Sequence, residues 1–266
     1  MTLEDISGVF DLNSLTGGNP VITGVLAGLF IMLTTSLGAA LIFLFSSRGK
    51  ISFHFSMSFA AGVMLAASFT SLILPAIEMA GFIPTTASGI LIGFLVMMIV
   101  ERTSPHEHIV LGYEGPEPGR KILKKAWLLA IAVMIHNFPE GLAVGVSVAY
   151  SIPLGLATAI AIGIQDIPEG LAVALPVSST SGRGKGFLVG VISGFSELLM
   201  AVIGAIVFDE LRMILPLGMS FSGGAMLYVT LKEVIPEVYG ENYSPTKATA
   251  GFLTGFLMML YLDSAL

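Results

Sequence analysis

The chain has 266 residues, of which 55% are hydrophobic and only 11% are charged, whereas soluble domains carry roughly 25% charged residues. This composition excludes an ordinary soluble domain and indicates an integral membrane protein. Cysteine is absent, which excludes disulfides, thiolate ligands and a cysteine nucleophile and leaves histidine, carboxylate, amide and methionine groups as metal ligands. The net charge of -6 favours cations over nucleic acid as partners.

Residues 1–20 are polar and acidic and lack a basic n-region, so they do not predict a cleavable signal peptide. At about 20 apolar residues per crossing, the apolar runs that follow predict an all-α membrane protein with eight transmembrane helices in one polytopic domain over residues 1–266. Seven or nine crossings stay open, because the third and seventh runs are short and the second begins with a polar turn. The predicted spans are 21–45, 53–79, 84–101, 126–150, 153–177, 186–208, 213–231 and 247–264.

The basic residues test this topology independently, because Lys and Arg concentrate in short cytoplasmic loops. With eight spans and the N-terminus outside, all twelve Lys and Arg residues except Arg212 fall in cytoplasmic connections. The longest of these connections is the loop 102–125, which contains a stretch rich in glycine and proline. We therefore expect a multi-pass protein of the cell (inner) membrane with both termini extracytoplasmic.

The start of the second span resembles the start of the seventh. MSFAAGVML covers residues 57–65 and MSFSGGAML covers residues 219–227, and Pro75 and Pro236 follow near the far ends in registers that differ by one residue. Since these spans cross in opposite directions, the similarity predicts an inverted-topology repeat, a common construction in secondary transporters. Chance likeness between helices rich in small residues is the alternative. Glycines four apart recur in the spans and predict close helix packing.

Spans four and five share a polar motif near their centres, HNFPEG at residues 136–141 and QDIPEG at residues 165–170. An ionisable group there costs roughly 2.5 to 3.5 kcal/mol on insertion scales and is a functional candidate by default. At about 100° per residue, positions i, i+1 and i+4 share one helix face, and the short connection makes the two spans antiparallel neighbours. The motif prolines free backbone carbonyls, which fits a polar cavity. The residues on the two faces are His136, Asn137 and Glu140, and Gln165, Asp166 and Glu169.

The sixth span adds Glu197 at its centre. With the carboxylates of the two motifs it would place four negative charges in a small volume, where they repel one another unless cations bind. Two divalent ions would balance four carboxylates, and the accompanying histidine nitrogen and amide oxygens suit zinc or a neighbouring first-row metal. The alternative, hydrogen bonding between helices, does not require so many like charges. These residues predict a mid-membrane metal centre on spans four, five and six.

The eight-span plan, the long inner loop after span three and the two Pro-Glu-Gly motifs resemble the ZIP (Zrt/Irt-like) family of metal-ion transporters, and most of all its bacterial GufA-like branch. The resemblance implies a binuclear centre in which Glu140 and Glu169 bridge two metal ions. The other implied ligands are His136 and Gln165 for the first ion, and Asn137, Asp166 and Glu197 for the second.

In the commonest family pattern the fifth span carries His-Asn, where this sequence has Gln165-Asp166. The exchange makes the centre harder and more anionic, so iron, manganese and cadmium are expected beside zinc. The expected function is import of a divalent transition metal, zinc first, into the cytoplasm by alternating access. Elevator, rocking and channel-like mechanisms stay open, and so does a homodimer.

Two other functions could use buried carboxylates of this kind. A proton- or sodium-coupled carrier of an organic solute would use the carboxylates as proton relays, but it leaves His136 without a clear purpose. An intramembrane metalloenzyme would typically carry a His-Glu-x-x-His motif, which this sequence lacks. We therefore expect a transporter and not an enzyme.

Further polar groups lie along the expected route of the ion. The resemblance places Met64, Ser71 and Glu78 of span two on the outer route, and Asp263 is either an entrance residue or a surface charge. On the inner side, Lys232 would repel a cation or pair with a neighbouring glutamate. The inner candidates for holding a departing metal are His106, Glu107 and His108 of the loop, and Glu233 and Glu237 beside Pro236.

Overall fold

The computed structural model describes residues 16–44, 53–108, 112–117, 125–239 and 244–265. This part of the chain contains ten α-helices, joined by short 3-10 and π-helical stretches, and one small antiparallel hairpin. The helices are α1 (Pro20–Ala40), α2 (Phe53–Ala67), α3 (Leu74–Ala80), α4 (Ala87–Thr103), α5 (Lys125–Tyr150), α6 (Ile152–Ser181), α7 (Arg183–Glu210), α8 (Leu215–Val229), α9 (Ile235–Val238) and α10 (Pro245–Ala265). The strands are β1 (His106–His108) and β2 (Gly112–Glu114), which pair within the loop 102–125.

Seven helical stretches within the described residues are long and apolar enough to cross a bilayer. They are Pro20–Phe43, Met57–Ala80, Phe82–Thr103, Ile152–Ser179, Arg183–Glu210, Arg212–Val234 and Pro245–Ala265. Each overlaps one predicted span, which confirms an all-α membrane protein. The remaining predicted span, 126–150, is helical as the 26-residue α5 but is not among the seven. That span 126–150 crosses the membrane, for a total of eight crossings, therefore stays a prediction.

The long helices pack as two groups. Helix α1 packs along α6 and α7, and α5 packs against both of these helices, so α1, α5, α6 and α7 form one group. In the second group α10 packs along α2 and α4 packs along α8, while the π-helical turn after α2 contacts α8. The groups meet mainly where α5 contacts α8 and where α6 contacts α2. The predicted polar motifs all belong to the first group.

Small residues let the backbones of the first group approach closely. A Cβ atom added to Gly141 or Gly145 of α5 would lie only 2.3 or 2.2 Å from a backbone oxygen of α7. The turns between these helices are also short, because Ser151 alone separates α5 from α6 and Gly182, at a φ of 92°, alone separates α6 from α7. The packing role predicted for the paired glycines is confirmed at these positions.

Helices α2 and α8 share an unusual build. Each is a 15-residue helix that continues into a π-helical segment, Ser68–Ile73 after α2 and Thr230–Val234 after α8. A short helix with proline at its start, Pro75 in α3 and Pro236 in α9, follows each segment. The first π segment has six residues and the second has five, which explains why the two prolines differ in register by one residue.

Candidate metal centre

All seven predicted ligands are buried, with no more than 6% of any residue exposed. They come from three helices that pack side by side: α5, α6 and α7. Both α5 and α6 continue as helix through the proline of their motif, so the i, i+1 and i+4 positions keep one face. The predicted ligands that these three helices bury are His136, Asn137, Glu140, Gln165, Asp166, Glu169 and Glu197.

Three carboxylates form the centre of this buried set. Glu140 of α5 and Asp166 and Glu169 of α6 each offer an oxygen atom, and these atoms all lie within 4.8 Å of one another. Carboxylate oxygens bind zinc at about 2.0–2.2 Å, so two oxygens on one ion are separated by up to about twice that distance. The spacing therefore fits one cation between the three side chains.

The amide of Gln165 links the two motifs. Its Nε2 donates a hydrogen bond of 2.6 Å to Glu140 Oε1, which shows that the polar faces of α5 and α6 meet as predicted. Because the nitrogen faces Glu140, the amide oxygen of Gln165 is left for another partner. The same helix pair thus presents a neutral oxygen beside the carboxylates.

Four acceptor oxygens at this centre are buried without a hydrogen-bond partner. They are Asn137 Oδ1, Glu140 Oε2, Gln165 Oε1 and Asp166 Oδ1. A buried acceptor that lacks a partner costs about 1–3 kcal/mol, and four of them concentrated in one place are unusual in a folded protein. All four are lone-pair donors, so bound cations would satisfy them. The chemistry of the residues present therefore fits a metal ion.

Glu197 of α7 lies beside this centre with partners of its own. Its carboxylate accepts hydrogen bonds from Thr35 Oγ1 of α1, at 2.8 and 3.1 Å, and from Asn137 Nδ2. Asn137 Nδ2 also lies 3.1 Å from Ser193 Oγ, one turn before Glu197. The structure thus brings Asn137 and Glu197 together, as the implied second ion requires. Nothing in the sequence motif indicated Thr35.

His136 is directed to the second helix group. Its Nε2 contacts Glu233 Oε2 in the π segment after α8, and both residues are buried. The sequence predicted Glu233 as a residue of the inner route, and the structure places it directly against a predicted ligand. Within the described residues, His136 is not part of the group formed by the three close carboxylates.

The residues predicted to line the outer route of the ion differ in their contacts and in their burial. Asp263 of α10 accepts hydrogen bonds from Thr70 Oγ1 and from Ser71 Oγ, the latter at 3.1 and 3.2 Å, so it is a bonded residue and not a free surface charge. Met64 is buried in the hydrophobic core, whereas Glu78 is exposed.

A second acidic cluster lies at the start of the loop 102–125. Lys232 Nζ donates to the carboxylates of Glu101 and of Glu114, the latter at 2.7 and 2.8 Å, and Tyr228 OH donates to Glu101. His106 Nε2 lies 4.0 Å from Glu101 Oε1. Lys232 therefore pairs with these two carboxylates, where the sequence had offered a neighbouring glutamate as its partner. The side chains of the other inner candidates, Glu107, His108 and Glu237, lie outside what the structure describes.

A cluster of buried carboxylates and amides, held among helices that are long enough to span a bilayer, defines a polytopic membrane transport protein. The model of the ZIP zinc transporter family matches residues 104–263, and the chain belongs to this family. Family membership makes the chain a transporter and not an enzyme, and it confirms the resemblance predicted from the Pro-Glu-Gly motifs.

Relatives align with nearly the whole chain. Identity is 40% to the zinc transporter ZIPB of Bordetella bronchiseptica, over 96% of this chain and 85% of the relative. It is 35% to the zinc transporter GufA of Myxococcus xanthus, over 91% and 98%. Identity to the zinc transporter ZIP11 of Homo sapiens is 30%, over 95% of this chain and 99% of the relative.

Proposed function

We propose that the chain imports divalent transition-metal ions, zinc first, from outside the cell into the cytoplasm. The observation that carries this function is the set of four partnerless acceptor oxygens buried beside three close carboxylates. The relatives that align with most of the chain are zinc transporters by name. Multivalent cations would satisfy these oxygen lone pairs, and the names of the relatives give no support to an organic solute.

The site holds two ions. Glu140 and Glu169 bridge them, the first ion also binds His136 and Gln165, and the second also binds Asn137, Asp166 and Glu197. Four carboxylates balance two divalent cations, and a buried set of four unpaired negative charges would be strongly destabilising. The close group of Glu140, Asp166 and Glu169 and the contact between Asn137 and Glu197 support this division.

The donor set favours first-row metals without being restricted to zinc. One imidazole nitrogen and several oxygens suit zinc, while the amide and carboxylate at Gln165 and Asp166 add hard oxygen ligands. Carboxylate oxygens also suit manganese and imidazole suits iron, and cadmium has the same charge as zinc. We therefore include iron, manganese and cadmium among the transported ions.

Helix α5 provides the remaining crossing, which brings the single transmembrane domain to eight crossings. It has 26 residues, which at about 1.5 Å per residue exceeds the roughly 30 Å of a hydrocarbon core. With eight crossings, the distribution of Lys and Arg places both termini outside the cell membrane and the loop 102–125 in the cytoplasm. The matching build of α2 and α8 supports an inverted repeat.

The division of the helices into two groups supports alternating access. The group formed by α1, α5, α6 and α7 carries all seven ligands, so movement of this group against the other would carry the ions across. Thr70 and Ser71 with Asp263 belong to the outer route, and Glu233 to the inner route. The contact between His136 and Glu233 joins the two groups and has to change during transport.

Zinc uptake by proteoliposomes tests this function. The variant Glu140→Gln removes a bridging charge but keeps the size of the side chain, and we expect it to abolish uptake. Glu210→Gln is the matched control, because Glu210 is an exposed residue at the end of α7. Equal uptake by both variants would show that the assignment of the site is wrong.

A further inference from the structure

Two adjacent threonines in the C-terminal part of α1 reach the acidic centre. Thr35 Oγ1 lies 2.8 and 3.1 Å from the two carboxylate oxygens of Glu197, and Thr34 Oγ1 lies 3.5 Å from Asp166 Oδ2. Both threonines are buried. Because α1 contains no charged residue and none of the predicted ligands, these hydroxyl groups are its polar contribution to the centre.

The approach of α1 to the site is built by glycines of the other helices. A Cβ atom on Gly170, which follows the bridging Glu169, would lie 2.0 Å from the carbonyl oxygen of Thr35. A Cβ atom on Gly194, one turn before Glu197, would lie 3.2 Å from Thr35 Cβ. Larger side chains at these two positions would push α1 away, so the packing holds the hydroxyl within reach of the carboxylate.

Threonines in membrane helices often bond only to a carbonyl of the preceding turn. Thr23 of the same helix is such a case, since its hydroxyl donates to Asn19 O, at 2.9 Å. Thr35 Oγ1 likewise lies 2.9 Å from Ile31 O, but it also has the carboxylate of Glu197 within 2.8 Å. A hydrogen bond to an ionised acceptor is roughly twice as strong as a neutral one, so the carboxylate is the preferred partner.

The hydroxyl proton of Thr35 can therefore stay on Glu197 whether or not an ion is bound. While Glu197 is ionised and without a metal, the proton lies on its carboxylate. An ionised carboxylate offers about four lone-pair sites on two oxygens, so when an ion binds one oxygen of Glu197 the proton stays on the other, which lies 2.8 Å from Thr35 Oγ1, and holds the carboxylate in place. Glu197 can then gain and lose an ion with a small change in local hydrogen bonding.

We infer that Thr35 is a positioning residue for metal transport, which orients Glu197 for the second ion, and that Thr34 does the same more weakly for Asp166. The inference rests on the proposed binuclear site. Partners that orient metal ligands typically contribute 10–100-fold to metal affinity. The weaker role of Thr34 follows from its distance of 3.5 Å, which is at the limit of a hydrogen bond.

Zinc titration of the purified full-length protein and zinc uptake by proteoliposomes test the inference together. Thr35→Val removes the hydroxyl and keeps the shape of the side chain, Thr35→Ser keeps the hydroxyl, and Thr23→Val is the matched control on the same helix. We expect Thr35→Val to weaken one of two zinc-binding steps by about 10–100-fold, to leave the other step unchanged and to raise the KM for uptake. Thr35→Ser and Thr23→Val should behave as the parent protein.

Two results would overturn the inference: parental binding of both ions by Thr35→Val, or an equal loss in Thr35→Ser, which would trace the effect to packing of the methyl group. Thr35→Ala removes the same hydroxyl and replaces Thr35→Val if that variant does not fold. Glu140→Gln separates this outcome from failure of the proposed function. If Glu140→Gln loses zinc while Thr35→Val does not, the inference alone fails; if Glu140→Gln also binds two ions, the binuclear site itself is wrong.

Discussion

Gly141→Ala is a test of how closely the centre depends on the contact between α5 and α7. An added Cβ atom would lie 2.3 Å from the carbonyl oxygen of Glu197 and 2.8 Å from its Cα atom. Carbon and oxygen atoms of neighbouring backbones normally stay about 3.3–3.6 Å apart, so the backbone at Glu197 must move by about 1 Å. The clash involves backbone on both sides, and rotation of a side chain cannot relieve it.

This displacement moves Glu197 relative to the carboxylate of Glu140, which precedes the mutated residue. A misplacement of about 1 Å at a functional site can reduce activity by about 100-fold, and overpacking of this kind costs about 1–3 kcal/mol of stability. We therefore expect zinc uptake by Gly141→Ala to fall by about 100-fold while the protein still inserts and remains helical.

The assay is initial-rate zinc uptake by proteoliposomes, with circular dichroism and thermal unfolding in detergent to confirm that the variant is folded. Gly184→Ala is the control, because a Cβ atom at Gly184 of α7 would meet no atom within 4 Å. If Gly141→Ala transports zinc at the rate of Gly184→Ala, the close approach of α5 and α7 does not set the geometry of the site.

Two further predictions concern stability. Lys232→Met leaves the buried carboxylate of Glu101 without its cationic partner and should lower the free energy of unfolding by about 1–3 kcal/mol. Arg212→Met, which breaks an exposed ion pair, should change the free energy of unfolding by less than about 1 kcal/mol. Equal melting temperatures for the two variants would contradict the contacts of the second acidic cluster. Saturating zinc should raise the melting temperature of the parent protein, since a ligand at 100 times its Kd stabilises the folded state by about 2.7 kcal/mol. Glu140→Gln should lose this zinc-dependent shift, and a shift of the same size would argue against the site.

The faces of α5 and α6 were predictable from sequence because helical spacing is a local property. Positions i, i+1 and i+4 fix which residues share a face, and the structure buries all six motif residues. The partners of these faces were not predictable in the same way. Thr35 and Glu197 are 162 residues apart, and His136 and Glu233 are 97 residues apart, so their contacts depend on which helices pack together.

The contacts of the second acidic cluster were not predictable from the sequence either. Glu101 lies at the end of a predicted span, where a charged residue usually faces solvent, yet the structure buries it against Tyr228 and Lys232. The two partners lie at i and i+4 on the helical stretch through Val234, which places them on one face. A face that carries a tyrosine and a lysine is a weak signal by itself, because such residues are common near membrane interfaces.

Each of the two π segments makes a polar contact with α5. Ser71, in the segment after α2, accepts a hydrogen bond from Ser147 Oγ at 3.4 Å through its carbonyl oxygen, and Glu233, in the segment after α8, contacts His136. His136 and Ser147 are 11 residues apart on one helix, which corresponds to about 16 Å at 1.5 Å per residue, and Glu140 lies between them. Each π segment leaves the regular pattern of backbone hydrogen bonds, a feature frequent at functional sites. The repeated build of α2 and α8 therefore provides one polar contact on each side of Glu140 along α5.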